Sequence, residues 1–223
     1  MIKKLYFSYV LDENTPTYGN RNTFHIYKKS SILNGDVAND SFIETTVHIG
    51  THIDMPFHFY ENGQTIEEFD IEYFYFDNVL FLELNSNNLV IKDELIDLLG
   101  KVNEKEKYDS IIVKTGICYK REEEVFWKKN YGFHPEIAYF IRKKFPKVRV
   151  FGFDSISVSS FANRMIGREA HKAFLDPKKP ILLIEDMDLR EVSVNNIIKW
   201  MIVVPLRIAK CDGLPCTIIG GVE

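Results

Sequence analysis

The chain is poor in cysteine, with three in 223 residues: Cys118, Cys211 and Cys216. So small and odd a number excludes a secreted disulfide framework, and no pair has the two-residue spacing of a redox or zinc motif. Cys211 and Cys216 flank Asp212-Gly213 and could face each other across a hairpin; we read them as free thiols. A basic excess is missing too. Against 28 Lys and Arg stand 32 Asp and Glu, a formal charge of -4. That excludes a general binder of nucleic acid or of an anionic membrane, which needs a basic face. No apolar run approaches membrane-spanning length, and in "MIKKLYFSYVLDENTP" acidic residues arrive before a signal-peptide core can form. We expect a cytoplasmic protein. There is no Gly/Ser-rich linker, low-complexity tract or internal repeat, so a single domain over residues 1–223 is expected. What remains is 45% hydrophobic and 27% charged, an ordinary globular composition with chain enough for a substantial core. The densest charge run, "EKEKY" from Glu104, mixes both signs and reads as a solvated loop.

The first 85 residues look mostly β. "KLYFSYV", "TFHIYKK", "SFIETTVHIGTHID" and "NVLFLELN" are short, rich in β-branched and aromatic residues, and bounded by Asn, Asp, Gly and Pro. Strands and helices then alternate. "KDELIDLLG" predicts a helix with Asp93 near its start and Gly100 just past its end. "YDSIIVKTG" is a buried strand. "HPEIAYFIRKKF" predicts a helix with Pro135 in its first turn, Ile137, Phe140 and Ile141 on its apolar face, and Pro146 beyond its end. "VRVFGFD" is a strand, "RMIGREAHKAFL" an amphipathic helix, and "PILLIEDMDL" a strand that stops in acid. The last segment reads as two strands joined by a loop holding Asp212-Gly213. Mixed β and α with some βαβ character defines an α/β class.

The stretch "HIGTHIDMPFH", His48 to His58, holds three of the six histidines. As a helix it would put His48 and His52 on one face, but Asp54 would lie far round the cylinder. The β-branched Val47, Ile49, Thr51 and Ile53, the weak helix former Gly50 and the breaker Pro56 all favour an extended chain. Side chains of a strand alternate. His48, Gly50, His52 and Asp54 then share one face, with Gly50 leaving a gap beside an ion. Imidazole and carboxylate are zinc ligands that manganese and iron also accept. Two histidines and one carboxylate leave coordination positions open, as a catalytic site requires. His58 is expected beyond the regular strand, as a further ligand or as a base beside a bound water. His25 reads as a strand-face residue and His134 as a helix-start residue. His171 on the amphipathic helix and Glu185 at the end of "ILLIE" are weaker candidates, since a carboxylate ending so apolar a strand is costly to bury unless paired or metal-bound.

The stretch matches the His-x-Gly-Thr-His-x-Asp-x-Pro-x-His signature and so resembles the metal-dependent cyclase-like hydrolases, whose members include bacterial kynurenine formamidases (arylformamidases) and isatin hydrolases. "PTYGN", "IIVKTG", "FGFDSISV", "EAHKAFL", "ILLIEDMDL" and "PLRIAKCDGLPCTII" resemble later and earlier blocks in the family's order, though Tyr18-Gly19 stands where the family has proline-glycine. The resemblance implies a swivelling β/β/α domain with mixed sheets, in homodimers or larger homo-oligomers. It implies a zinc site of one or two ions, with manganese in some relatives, held by His48, His52, Asp54, His171 and Glu185. Asp54 would bridge, and His58 would be the acid/base. Asp154 in "GFDS" matches a recurrent aspartate, read as structural or as a support behind the ligands, not as a ligand. Asp186 and Asp188 depart from the family's less acidic run; they are either supports behind the ligands or surface residues, and the surface reading is preferred.

The expected activity is metal-assisted hydrolysis of a small amide such as N-formylkynurenine or another aryl formamide or cyclic amide. The alternatives are a cyclase or hydrolase acting on another small carbonyl compound, and a non-catalytic metal-binding module. The aromatics of "FHFY" and of "EYFYF" at residues 72–76 are candidates for lining an aromatic pocket.

Overall fold

A computed structural model describes residues 1–21 and 23–223. The β-branched and aromatic runs become strands. These are first β1 (Lys3–Tyr6), β2 (Phe24–Ser30), β3 (Asp40–Thr45) and β4 (His52–Asp54). Next come β5 (Tyr75–Phe76), β6 (Val79–Glu83), β7 (Val90–Ile91), α1 (Asp93–Lys101), β8 (Ser110–Lys114), α2 (Val125–Lys128) and β9 (Gly132–Phe133). The chain ends with α3 (Pro135–Lys144), β10 (Val150–Phe153), α4 (Arg164–Phe174), β11 (Leu182–Glu185), β12 (Ile198–Pro205) and β13 (Gly213–Val222). This is the mixed α/β architecture expected.

Among the described residues nine strands form one sheet in the order β5-β12-β13-β4-β11-β10-β8-β6, with β1 also on β13. β6, β8, β10 and β11 run parallel; β8, β10 and β11 are buried throughout, as strands covered on both faces must be, and the edge strand β6 only in part. β13, β12, β5 and β1 pair antiparallel. Between the halves lies β4, antiparallel to both β11 and β13. The sheet thus changes character at β4, and the carboxyl end of β11 meets the start of β13 across it. Ligand sites of α/β sheets gather where strand order or direction switches. β2 and β3 form a separate hairpin.

The helices begin and end as their sequences direct. α3 opens on Pro135, His134 Nδ1 accepts from the Glu136 N–H at 3.3 Å, and Arg142, Lys143 and Lys144 close its last turn. Ile137 and Ile141 are fully buried and Phe140 partly so. α3 packs on α4 and α1, and Phe174 of α4 stacks on Phe151 of β10 with ring centroids 4.9 Å apart. α1 runs one residue past Gly100, which is an exposed position within the helix and not its stop. The N-terminal region is less purely β than its composition predicts. Short 3-10 turns occupy Tyr18–Asn20, Ile32–Asn34, Pro56–His58, Ile66–Glu68 and Ile71–Phe74. Their local chemistry, Gly35 after Asn34, Pro56, and the Thr65–Glu68 capping box, outweighs the strand propensity around them. The three cysteines are free thiols, and Cys216 is buried against the Thr51 carbonyl.

One further expectation changes. Asp186 is not on the surface: it is 1% exposed and takes a bidentate ion pair from Arg121, at 2.9 and 2.7 Å. Burial pushes its pKa up, and the Arg121 charge and hydrogen bonds pull against that. The guanidinium also lies 3.9 Å from the Tyr9 ring centroid. Only Asp188 keeps partial exposure, pairing with Arg190. The reason is position. Asp186 adopts φ +52 directly after β11, and its carboxylate meets Arg121 instead of solvent. Arg121→Met should therefore strand a buried carboxylate and cost about 3–5 kcal/mol in chemical denaturation. Asp186→Asn, added to it, should recover most of that loss, because Asn tolerates the same backbone and carries no charge.

Candidate metal centre

Register explains how distant residues meet. On β4, His52 and Asp54 are two apart and share a face, while Ile53 between them is fully buried on the other. Glu185, the last residue of β11, sits directly opposite His52, and opposite residues of an antiparallel pair point the same way. α4 carries His171 onto this face. His52 Nε2 lies 3.5 Å from Asp54 Oδ1 and 3.4 Å from Glu185 Oε2, and His171 Nε2 lies 3.6 Å from Asp54 Oδ2 and 3.7 Å from Glu185 Oε1. All four side chains are buried. His48 and His58 close the cluster from the more open side, their rings 4.1 Å apart.

His48 arrives by another route than a continuous strand. β4 is only His52–Asp54, and Gly50 takes φ +55, in the left-handed region. An uninterrupted strand would put residues 48 and 54 roughly 20 Å apart. The turn at Gly50 instead folds His48 back, and its Nδ1–H donates to Asp54 Oδ1 at 2.9 Å. Nor does Gly50 leave a gap beside an ion: a Cβ there would fall 2.2 Å from Leu11 Cδ2. The glycine that gives the ring room is Gly213, where a Cβ would lie 2.4 Å from His48 Cε1. His58 lies in the turn Pro56–His58, off the strand as expected.

Two imidazoles are preset as donors. The His52 Nδ1–H donates to the Gly50 carbonyl and the His171 Nδ1–H to the Gly167 carbonyl, both at 2.8 Å. Each bond fixes the tautomer and leaves Nε2 with its lone pair facing the carboxylates, as in metal-ligating histidines. Glu185 is held by the Val158 N–H, 2.7 Å from Oε1. Among the described residues Asp54 Oδ2 is buried and has no hydrogen-bond partner. A buried, unpaired carboxylate oxygen is costly unless a cation completes it. The donor set therefore fits a divalent metal. Candidate trios whose ligand atoms lie within 4.8 Å of one another are His48, His52 and Asp54; Asp54, His58 and His171; and His48, His58 and Asp212.

The electrostatics agree. Burial raises the cost of charging Asp54, yet the His48 hydrogen bond and the neighbouring imidazoles hold its carboxyl well below the usual range. Burial works against charge on His48 as well, but its bonds to Asp212 and Asp54 outweigh that and push its pKa up to about 10, so this ring must give up a proton before it can ligate. Burial lowers the pKa of His171, which keeps that ring neutral.

Asp212 is the residue that local reading missed. It looks like the first half of an Asp-Gly turn. In the fold its Oδ2 accepts from His48 Nε2–H at 2.8 Å and from His58 Nδ1–H at 3.1 Å. Its pKa is held low by these two bonds. Asp154 is structural, as expected: fully buried, it accepts from the Thr115 N–H and hydroxyl and from the Gly116 N–H, all at 2.8 Å. The cluster floors a cleft of about 260 Å³ whose walls include Tyr18, Phe59, Ile156, Arg164 and Arg168. Of the proposed aromatic lining, Phe59 is present, stacked on His171 at 4.6 Å. The 72–76 run is not: Phe74 and Phe76 are core and Tyr73 packs on Phe69, because the turn at Ile71–Phe74 and the pairing of β5 with β12 direct them inward.

A mixed sheet here gathers imidazoles and carboxylates beneath a cleft, a candidate metal centre. Residues 6–160 match the model of the putative cyclase family, and the chain belongs to that family, the cyclase-like hydrolases. The kynurenine formamidase of Bacillus cereus (strain ATCC 10987 / NRS 248) is 28% identical over 170 residues, 76% of this chain and 74% of its own. That of Geobacillus thermodenitrificans is 25% identical over 209 residues, 92% and 90% of the two chains. Among solved structures, an isatin hydrolase bound to the product analogue thioisatinate superposes with a TM-score of 0.79 at 17% identity, covering 100% of this chain and 93% of its own. A potential metal-dependent hydrolase with cyclase activity gives 0.77 at 21%, covering 99% and 98%. Among the described residues no helix is long and apolar enough to cross a membrane.

Proposed function

We propose that this chain, acting as one domain, is a divalent-metal-dependent hydrolase of a small aryl amide, of the arylformamidase kind. The observation that carries this is Asp54 Oδ2, buried and unpaired between His52, His171 and Glu185 at the floor of a cleft. His48, His52, Asp54, His171 and Glu185 would hold the cation, and zinc suits this nitrogen and oxygen set, manganese less closely. When bound, the cation supplies Lewis acidity and lowers the pKa of water toward neutrality.

The residues supply the rest. With Nδ1–H donated to Asp212, neutral His58 keeps an Nε2 lone pair that takes a proton from the attacking water. The same nitrogen then returns a proton to the amine that leaves. Asp212 orients the ring and stabilises its charged form. Phe59 and Ile156 offer an apolar wall to an aryl group, and burial of the cluster strengthens each electrostatic contact. A second reading, hydrolysis of a cyclic amide, draws on the isatin hydrolase likeness and uses the same groups.

Elemental analysis of purified protein, followed by assays on N-formylkynurenine, isatin and a formanilide panel, tests both. We expect one or two equivalents of metal and turnover of at least one substrate that chelation abolishes and zinc or manganese restores. Full metal with no turnover across the panel would remove the amide-hydrolase reading.

A further inference from the structure

Both ring nitrogens of His48 are engaged, one on each side. Nδ1 faces inward, 2.9 Å from Asp54 Oδ1, and Nε2 faces outward, 2.8 Å from Asp212 Oδ2. The same Asp212 oxygen lies 3.1 Å from His58 Nδ1, and the two rings run side by side with their planes tilted by 35°. Two imidazole nitrogens and one carboxylate oxygen therefore converge outside the buried cluster. His48, His58 and Asp212 are each partly exposed, whereas His52, Asp54, His171 and Glu185 are buried.

The spacing of this outer trio fits a cation. Zinc lies about 2.0–2.1 Å from nitrogen and oxygen ligands, so ligand atoms at the corners of a tetrahedron stand about 3.3 Å apart. The three outer atoms lie within 4.8 Å of one another, and two of the separations are 2.8 and 3.1 Å. A small outward turn of the Asp212 side chain opens room for an ion. The backbone beneath is fixed: the Met55 N–H donates to the Asp212 carbonyl at 3.0 Å, and the His58 N–H to the Met55 carbonyl at 2.9 Å. The trio has one carboxylate where the inner cluster has two, and it stands nearer to water. An ion there is held more weakly than one inside.

A neutral imidazole has a single ring lone pair. His48 can direct it inward from Nδ1 or outward from Nε2, and not both ways at once. An outward bond keeps the Nδ1–H on Asp54 and takes His48 from the inner ligand set. His58 meets the same constraint. With a cation on Nδ1 its proton moves to Nε2, the nitrogen that must be free to act as the base.

We propose that His48 Nε2, His58 Nδ1 and Asp212 Oδ2 form an outer, inhibitory site for a divalent cation, filled only when free metal is in excess. Zinc then activates the protein through the inner cluster and shuts it down through the outer trio. The inhibition rests on the hydrolase reading above; the cation site does not. The outer ion leaves on desalting, so the metal count of purified protein is unaffected by it.

The test adds zinc beyond the amount that fills the inner cluster. Long-range proton–nitrogen NMR of protein labelled with nitrogen-15 histidine reports whether each ring nitrogen carries a proton, a lone pair or a metal. At excess zinc, His48 Nε2 and His58 Nδ1 should move to metal-bound shifts and the His58 proton should appear on Nε2. His25 and His134, outside the cluster, should not change. Turnover should fall over the same range of free zinc. Asp212→Asn should raise the zinc needed for both effects about 10–100-fold. His58→Ala should abolish the change at His48 Nε2, with melting temperature as in the parent. Outer nitrogens that keep their protons at zinc concentrations that halve turnover overturn the proposal. So does inhibition that is unaltered in Asp212→Asn. Equal changes at His25 and His134 would reduce the effect to surface binding and overturn it too. Metal-bound outer nitrogens with full turnover remove the inhibitory role. A protein that shows the nitrogen shifts but hydrolyses nothing on the panel keeps the site and loses the hydrolase reading.

Discussion

Asp54→Asn should leave a folded protein that no longer retains zinc or manganese, with kcat/KM down by about 10³-fold or more. The argument is local. Asp54 is 1% exposed, and asparagine matches its volume, so packing survives. Its Oδ1 sits within reach of His48 and His52 and its Oδ2 within reach of His171, so no other carboxylate touches so many of the imidazoles. An amide keeps one acceptor but brings an NH2 group among nitrogens that need an anion, and it has no negative charge to offer a cation. Elemental analysis should find the variant empty, while circular dichroism and melting show it intact. A variant that keeps its full metal complement and its turnover would mean that Oδ2 is unpaired for some other reason, and the centre would have to be drawn without Asp54.

What could be read in advance followed the range of each interaction. His52 and Asp54 were legible because strand parity is set by adjacent residues. The start of α3 was legible because His134, Pro135 and Glu136 carry their own capping chemistry. His48 was legible as a candidate but not as geometry: the turn at Gly50 depends on Leu11 packing over it, a contact 39 residues away. Glu185 carried a hint, an acid ending an apolar strand, but its partner His52 is fixed only by the register of β11 on β4. His171 lay on a visible amphipathic helix, yet which face met the cluster was decided by the packing of α4. Asp186 was misplaced because successive acids look solvated, and its counter-charge Arg121 is 65 residues distant. Asp212 had no local signal at all. An Asp before Gly is turn chemistry, and nothing nearby in the chain distinguishes a turn residue from one that holds two imidazoles. The resemblance covered the ligands and His58 and left Asp212 unmarked.

His58→Ala separates the two roles that the histidine stretch left open. His58 is, with His48, a partly exposed member of the cluster, with 27% of its side chain accessible against 22% for His48, 5% for His52 and 8% for His171. Its Nδ1 is committed to Asp212, itself 41% exposed, and not to a buried carboxylate. A group so placed borders the cleft where water and substrate enter, and its removal leaves His52, Asp54, His171 and Glu185 untouched. We therefore expect the variant to bind its metal with the parent's stoichiometry and to lose about 10²–10⁴-fold in kcat, the size of a missing general acid/base. The loss should be smallest for formanilides with electron-poor rings, whose amines leave with the least need of a proton. Asp212→Asn should cost less, about 10–100-fold, because it loosens the ring without removing it. Loss of metal from His58→Ala would assign His58 to the ligand set with Asp54 and His171, and the proton transfer would then need another residue to perform it.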